Sequence, residues 1–217
     1  MTHLETSEPA MTIQDRGDLE YGRFPGTVPR ILTDYPPHRL GQLTERGEGH
    51  RTTSAVRTAS GATVQVREAT TDDLAAVNDL HGRCSTRTLC SRYHAGRDRL
   101  SAAEWGRMVD PLLGHTLLLA DPAAQDSLIG FANVMRTASD GPAEVSLLLC
   151  DEWQGVGVGR AMTWHLVRVA RLLGFADVVA WVEPENSRAV NLLRGIGARP
   201  DAHESGDVRW RLHIGQR

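Results

Sequence analysis

The chain has 217 residues, a formal net charge of -3 at pH 7 and a pI near 6.3. This length accommodates one domain with an extension, or two small domains, and it allows a sizeable hydrophobic core. Proteins that bind nucleic acid directly are usually basic, so the slightly acidic charge argues against a nucleic-acid partner.

The number and spacing of the cysteines and histidines, and the lengths of the apolar runs, exclude further classes of protein. Cys84, Cys90 and Cys150 are too few for a secreted disulfide scaffold, and neither they nor the histidines have metal-ligand spacing. No apolar run approaches the roughly 18 residues of a membrane span, and residues 1–9 are too polar for a signal peptide. We therefore expect a cytoplasmic protein with no bound metal and no membrane contact. All 24 basic residues are arginines, so the chain contains no lysine.

Residues 1–53 form a region of different composition. They hold five of the ten prolines, many glycines and charges, and no sustained periodicity. This composition predicts a poorly ordered extension, followed by one domain over residues 54–217. Within the extension, Tyr21–Phe24 and Tyr35–Pro37 are either docking segments or parts of a flexible tail, and we favour the tail.

The domain begins with a predicted hairpin and a capped helix. Two strand-like runs, Ala55–Thr58 and Ala62–Arg67, flank a turn-sized gap that ends in glycine. Thr70 with Asp73 forms a capping box that predicts a helix through Arg83.

A second capped helix and an antiparallel meander come next. Ser101 with Glu104 predicts a short helix through Met108. Turn residues then separate three apolar runs, as is typical of adjacent antiparallel strands. These runs are His115–Ala120, Leu128–Met135 and Ala143–Cys150.

A glycine-rich loop joins the third run to a helix predicted from Ala161 to Leu173. Free N–H groups and the positive end of the macrodipole make a helix start a phosphate site. We expect Gly155, Gly157 and Gly159 to adopt backbone conformations closed to other residues and to let an anion approach. Three alternating glycines alone are also compatible with a turn that binds nothing.

The remaining chain predicts strand, turn, helix and strand. The strand is Val178–Val182, the turn Glu183–Asn186, and the helix Ser187–Ile196, closed by Gly197. A closing strand follows with a period of two, whose buried face comprises Val208, Trp210, Leu212 and Ile214.

Two of these blocks resemble the GNAT superfamily of N-acetyltransferases. Gln154-x-x-Gly157-x-Gly159 is similar to its Gln/Arg-x-x-Gly-x-Gly/Ala signature, and Asn186 and Ala189 fill its Asn-x-x-Ala positions. The segment 85–94 resembles the Ser-x-x-Ser/Thr-x-Tyr-x-Arg-Phe/Tyr pattern of bacterial Pat-type protein lysine acetyltransferases, with Cys90 in the tyrosine position. The resemblance implies the α/β GNAT acyl-CoA N-acyltransferase fold, with a mixed central sheet of six to seven strands and about four helices.

The resemblance also implies a donor and a donor site. The donor is acetyl-CoA, which transfers its acetyl group to a primary amine, either a protein lysine or a small molecule, by direct attack. The loop amides would hold the pyrophosphate, with the Arg160 side chain available for the 3′-phosphate or solvent, and the N–H of Leu147 would point at the thioester carbonyl. The implied donor-binding residues are Leu147, Leu149, Gln154, Gly155, Val156, Gly157, Gly159, Arg160, Asn186 and Ala189.

Glu144 is the candidate general base, because its Ala-Glu-Val context matches that of Pat-type enzymes. A solvated charge at a strand end is the alternative interpretation. Glu183 and Glu185 are candidates to attract a cationic acceptor. Many GNAT enzymes have a tyrosine general acid where this chain has Leu193, which leaves open a non-catalytic GNAT-fold module that senses acyl-CoA or binds a partner. The oligomeric state stays open, a homodimer included.

Overall fold

The computed structural model describes residues 53–94 and 96–215. Except for Thr53, the predicted extension lies outside these residues. They form eight strands and five α-helices. The strands are β1 (Thr53–Arg57), β2 (Thr63–Glu68), β3 (Gly114–Asp121), β4 (Ala124–Arg136), β5 (Ala143–Leu149), β6 (Asp177–Val182), β7 (Arg199–Glu204) and β8 (Asp207–His213). The helices are α1 (Leu74–Arg83), α2 (Thr86–Tyr93), α3 (Ala102–Met108), α4 (Val158–Leu172) and α5 (Ser187–Gly195).

All eight strands lie in one mixed sheet, in the order β1-β2-β3-β4-β5-β6-β8-β7. The predicted hairpin is β1 with β2, and the predicted meander is β3, β4 and β5, each antiparallel to the next. The β5–β6 pair is parallel, because the chain crosses over through α4. The mixed α/β fold predicted from the sequence is confirmed.

The sheet separates two hydrophobic cores. Alternating side chains of β5 show the division, since Val145 and Leu149 join one core and Leu148 joins the other. Buried residues of α4 and α5 belong to the first core, and those of α1, α2 and α3 to the second. The domain therefore has three layers, with helices on both faces of the sheet.

Local capping explains where two of these helices begin. The N–H of Thr70 donates to Asp73 at 2.8 Å, and a short 3₁₀ turn over Thr71–Asp73 leads into α1. At α3, the N–H of Ser101 donates to Glu104 at 2.7 Å, and the Ser101 hydroxyl accepts from the Glu104 N–H. Both predicted capping boxes are present.

The sheet has one strand more than the predicted upper count. The unpredicted strand is β7, which pairs with β8 at the edge of the sheet. Five of its six residues are exposed, and it contains Pro200, which an edge strand tolerates. An exposed strand has no apolar alternation, so its sequence resembles a loop.

None of the helices within residues 53–94 and 96–215 is long and apolar enough to cross a membrane.

Candidate functional site

The central feature of the site is a gap in the sheet. Strands β5 and β6 pair only at Ala143↔Val178 and Glu144↔Val179. Strand β5 stays paired with β4 as far as Gly130↔Leu149. One edge of the second half of β5 therefore has no strand partner, and its backbone groups are open to a ligand.

A cleft of about 1000 Å³ extends from this gap. Its walls come from β5, the glycine-rich loop, α2, the turn after β6 and α5. The structure brings together all but one of the residues predicted to bind the donor. Those lining the cleft are Leu147, Leu149, Gln154, Gly155, Gly157, Gly159, Arg160, Asn186 and Ala189.

Val156 is the predicted residue that does not line the cleft. Its side chain is 41% exposed. Its carbonyl accepts a 2.8 Å hydrogen bond from the Ser60 hydroxyl, in the turn of the β1–β2 hairpin. The contact fixes the loop from its outer side.

Two loop glycines have the backbone conformation that the sequence predicted. The φ angles of Gly155 and Gly157 are 78° and 89°, in the left-handed region. A Cβ on Gly157 would lie 3.4 Å from the Cβ of Thr58, while one on Gly155 would meet no atom within 4 Å. Gly157 caps α4, so the free N–H groups of the first helical turn follow it directly.

The backbone conformation expected for the third glycine was wrong. Gly159 lies inside α4 and is not among the residues with positive φ. A Cβ there would approach the side chains of Leu192 at 3.4 Å, Leu149 at 3.8 Å and Leu147 at 3.9 Å. These are ordinary van der Waals distances, so packing of α4 against β5 and α5 does not by itself require a glycine here.

Gln154 ties the loop to three other segments. Its Nε2 donates to the Thr88 hydroxyl at 3.0 Å and to the carbonyl of Leu149 at 2.9 Å. Its Oε1 accepts from Nη1 of Arg188 at 2.6 Å. The glutamine of the signature therefore holds the loop to α2, β5 and α5.

Asp151, just before the loop, fixes the start of α2. Its carboxylate accepts from the Ser85 N–H at 2.8 Å, the Ser85 hydroxyl at 2.7 Å and the Thr88 hydroxyl at 2.9 Å. Partial burial acts to raise the pKa of Asp151, but these hydrogen bonds outweigh it and hold the pKa below the ordinary value. The carboxylate therefore stays ionised and joins α2 to the loop.

Asn186 lies on the opposite wall of the cleft, where it caps a helix. Its Oδ1 accepts the N–H of Ala189 at 3.1 Å, so it caps α5. The three-residue spacing between Asn186 and Ala189 is the spacing that this cap requires. Both residues line the cleft beside Glu183 and Glu185.

Glu144 is buried at the parallel end of β5, with 7% of its surface exposed. Burial raises the pKa of its carboxyl from 4.5 to about 7, and the positive charge of Arg92 offsets part of that rise. Glu144 is not among the residues that line the cleft, whereas Arg92 is. The alternative of a solvated charge at the strand end is wrong, because the side chain is excluded from solvent.

A sequence profile of the acetyltransferase (GNAT) domain family matches residues 64–199. The match covers more than half of the chain, including the loop and the cleft. The chain belongs to the GNAT acetyltransferase family.

Several acetyltransferases are similar to the chain in fold or in part of their sequence. The GNAT domain of PAT from S. lividans aligns with a TM-score of 0.67 at 25% identity, over 83% of this chain and 99% of that one. A phosphinothricin acetyltransferase (Pat) of the GNAT superfamily from Sinorhizobium meliloti, solved in complex with AcCoA, aligns with a TM-score of 0.56 at 17% identity, over 70% and 89%. The mycothiol acetyltransferase of Parafrankia sp. (strain EAN1pec) is 32% identical over 102 residues, 47% of this chain and 27% of that protein. The chain thus spans about a quarter of that curated relative.

Leu193, which the family resemblance places at the tyrosine position of many GNAT enzymes, lies in the core. Leu193 is 6% exposed and packs in the core between the sheet and α4. Position 193 therefore lacks a tyrosine, and its side chain faces other apolar side chains.

Sequence reasoning missed three residues that build the site. Asp151 and Arg188 make the loop contacts described above, and Arg92 lines the cleft as a buried cation. Arg92 fills the arginine position of the Pat-type pattern. The sequence therefore marked this residue but indicated no role for it. No group of three or more His, Cys, Asp or Glu side chains within the described ranges is placed to hold a metal ion.

Proposed function

We propose that this GNAT protein is an acetyl-CoA-dependent N-acetyltransferase that acts on a primary amine by direct attack. One observation carries the proposal. A single cleft of about 1000 Å³ joins the amides at the start of α4 to the unpaired edge of β5. A long ligand with an anionic end and an amide-containing arm fits such a cleft.

The donor site would be formed mainly by backbone. The N–H groups of Gly155, Val156, Gly157, Gly159 and Arg160 would bind the diphosphate, where the helix dipole favours negative charge. The glycine conformations leave the loop free of side chains that would hold an anion away. When bound, acetyl-CoA supplies an activated acyl group. The N–H of Leu147 would donate to the developing oxyanion, and a donor of this kind accelerates acyl transfer on the order of 10²–10³-fold.

Glu144 would serve as the general base. A base whose pKa lies near the operating pH takes up a proton efficiently, and the pKa of Glu144 is about 7. Since Glu144 does not line the cleft, the proton of the attacking amine would reach it through water. The amine nitrogen would bond to the carbonyl carbon, the C–S bond would then break, and the sulfur would leave as thiolate.

The acceptor would be a protein lysine or a small amine. The Pat-type pattern in residues 85–94 favours a lysine. Glu183 and Glu185 line the cleft and would attract a cationic acceptor.

A second function is favoured by two observations. Leu193 is packed into the core where other GNAT enzymes have an acid, and Glu144 lies outside the cleft lining. A GNAT-fold module that senses acyl-CoA or binds a partner without turnover would have both features. It would bind acetyl-CoA without releasing thiol in the presence of any amine.

Calorimetric titration with acetyl-CoA, followed by thiol-release assays with lysine peptides and small amines, tests both functions. Saturable binding with amine-dependent thiol release is expected. Binding without release on any amine supports the sensing module, and no binding overturns both functions. Glu144→Gln is expected to lower kcat/KM by about 10²–10⁴-fold, and an unchanged kcat/KM removes Glu144 from the role.

A further inference from the structure

Arg92 is a buried cation that forms no ion pair with any other residue of the described ranges. It is 8% exposed, and its Nη2 donates to Oδ1 of Asn133 at 3.2 Å. Its Nε is buried and has no hydrogen-bond partner within the residues that the structure describes. A buried charge is costly when no opposite charge is in contact with it, because its desolvation is then poorly offset. The structure therefore keeps a charge here at the expense of stability.

The guanidinium is held firmly in place. It lies over the rings of Tyr93 and Phe131, with its carbon 5.0 Å and 5.7 Å from their centroids. Its partner Asn133 donates to the Thr116 hydroxyl at 2.6 Å, and Thr116 in turn donates to a backbone carbonyl of α3. The position of the charge is thus fixed by α2, β3 and β4 together.

Glu144 is the anion on which this charge acts. Glu144 and Ser146 alternate onto the same face of β5, and Ser146 pairs with Asn133 in register and donates to its Oδ1 at 3.3 Å. The charge of Arg92 opposes the effect of burial on the pKa of Glu144. Arg92 also lines the cleft, whereas Glu144 does not.

Other titratable groups on this side of the sheet have partners of their own. On α1, His81 bonds to the hydroxyl of Tyr93 at 2.7 Å. At the end of α2, Nδ1 of His94 lies 3.0 Å from a carboxylate oxygen of Asp207. On β8, Arg211 pairs with Asp201 and Asp177.

We propose that Arg92 is a positioning residue that acts through Glu144, supplying a field that favours the ionised form of this buried carboxyl. The role rests on the proposed function, in which Glu144 is the base. The same fixed cation would disfavour a protonated amine in the cleft, so that the acceptor is presented as the neutral nucleophile. In this proposal Arg92 does not bind acetyl-CoA.

Carbon-13 NMR of labelled glutamate carboxyls measures this coupling without turnover. The Glu144 resonance is assigned by its loss in Glu144→Gln, and its titration midpoint is compared in the parent protein, Arg92→Met and Arg92→Lys. The parent midpoint is expected near 7. Removal of the charge is expected to raise it by about one unit or more, and lysine to restore most of the difference. An unshifted midpoint in Arg92→Met overturns the proposal.

The pH dependence of kcat/KM provides an independent test. In Arg92→Met, the acidic limb of the kcat/KM profile is expected to move to higher pH together with the NMR midpoint. A raised dissociation constant for acetyl-CoA without an NMR shift makes Arg92 a donor-binding residue and overturns the proposal. If the parent protein has no turnover, the proposed function fails, while the NMR comparison still decides whether Arg92 controls the ionisation of Glu144.

The double variant Arg92→Met with Glu144→Gln is the control for the case in which Arg92→Met alone does not fold. If the single variant unfolds because an ionised Glu144 has lost its compensating charge, the double variant is expected to fold. A double variant that also fails shows that Arg92 is needed for packing independently of Glu144, which overturns the proposal.

Discussion

Arg188 and Gln154 are joined by a hydrogen bond of 2.6 Å that links α5 to the loop before α4. Gln154 also bonds to Thr88 on α2 and to the end of β5. One amide side chain therefore connects the walls of the cleft and sets the position of the loop amides.

Gln154→Leu is expected to weaken acetyl-CoA binding about tenfold, because the loop amides lose preorganisation. Loss of three hydrogen bonds is expected to lower the free energy of unfolding by about 1–3 kcal/mol. Calorimetry and urea unfolding measure the two effects. Arg188→Met removes one of the three bonds and serves as the comparison. A larger loss of affinity in Arg188→Met than in Gln154→Leu would contradict the role given to Gln154.

Gly155→Ala is expected to separate backbone strain from ligand binding. An alanine at φ 78° costs about 1 kcal/mol of stability, although its Cβ meets no atom within 4 Å. Gly174→Ala is the matched control, since Gly174 follows α4 with φ 88° and equally open space. Both variants should lose similar stability in urea, and only Gly155→Ala should lose affinity for acetyl-CoA. Equal affinity in the two variants would remove the loop from the donor site.

Features that depend on local sequence were predictable. The capping boxes at Thr70 and Ser101 specify helix starts through bonds that span three residues, and the meander follows from apolar runs separated by turns. Asn186 and Ala189 were predicted from the family resemblance, and the structure shows a local cap that fixes their spacing. Local chemistry suffices where the partner lies a few residues away.

Features that depend on distant contacts were not predictable. Strand β7 is exposed, so its pairing with β8 left no periodic pattern. Asp151 reaches Ser85, 66 residues away in the chain, and only the fold reveals their contact. The burial of Arg92 likewise follows from the tertiary arrangement of α2 with β4.

Leu193→Tyr is expected to destabilise the domain without improving catalysis. Leu193 is packed in the core, and a larger side chain there costs about 1–3 kcal/mol through overpacking. Leu193→Phe is the matched control, because it adds the ring without the hydroxyl. Thermal unfolding and kcat are measured for both. A kcat raised in the tyrosine variant but not in the phenylalanine variant would show that this position reaches the reacting atoms after all.

Glu144 is expected to make stability depend on pH. Its pKa is about 7 in the folded protein and 4.5 is the ordinary value, so between these pH values the unfolded chain loses a proton that the folded protein keeps. Stability from this group is therefore full below about pH 4.5 and is lost as the pH rises to about 7. The loss is on the order of 3 kcal/mol.

Glu144→Gln removes this titration. The variant is expected to be more stable than the parent protein at pH 8, with most of the difference gone at pH 5, as measured by urea unfolding. Glu152→Gln, at an exposed glutamate in the turn after β5, is the control and should change stability equally at both pH values. Because other groups titrate identically in the parent and the variant, the pH dependence of their difference isolates Glu144. A difference that stays constant from pH 5 to pH 8 would mean that the buried carboxyl ionises normally, and would remove the physical basis for its role as a base.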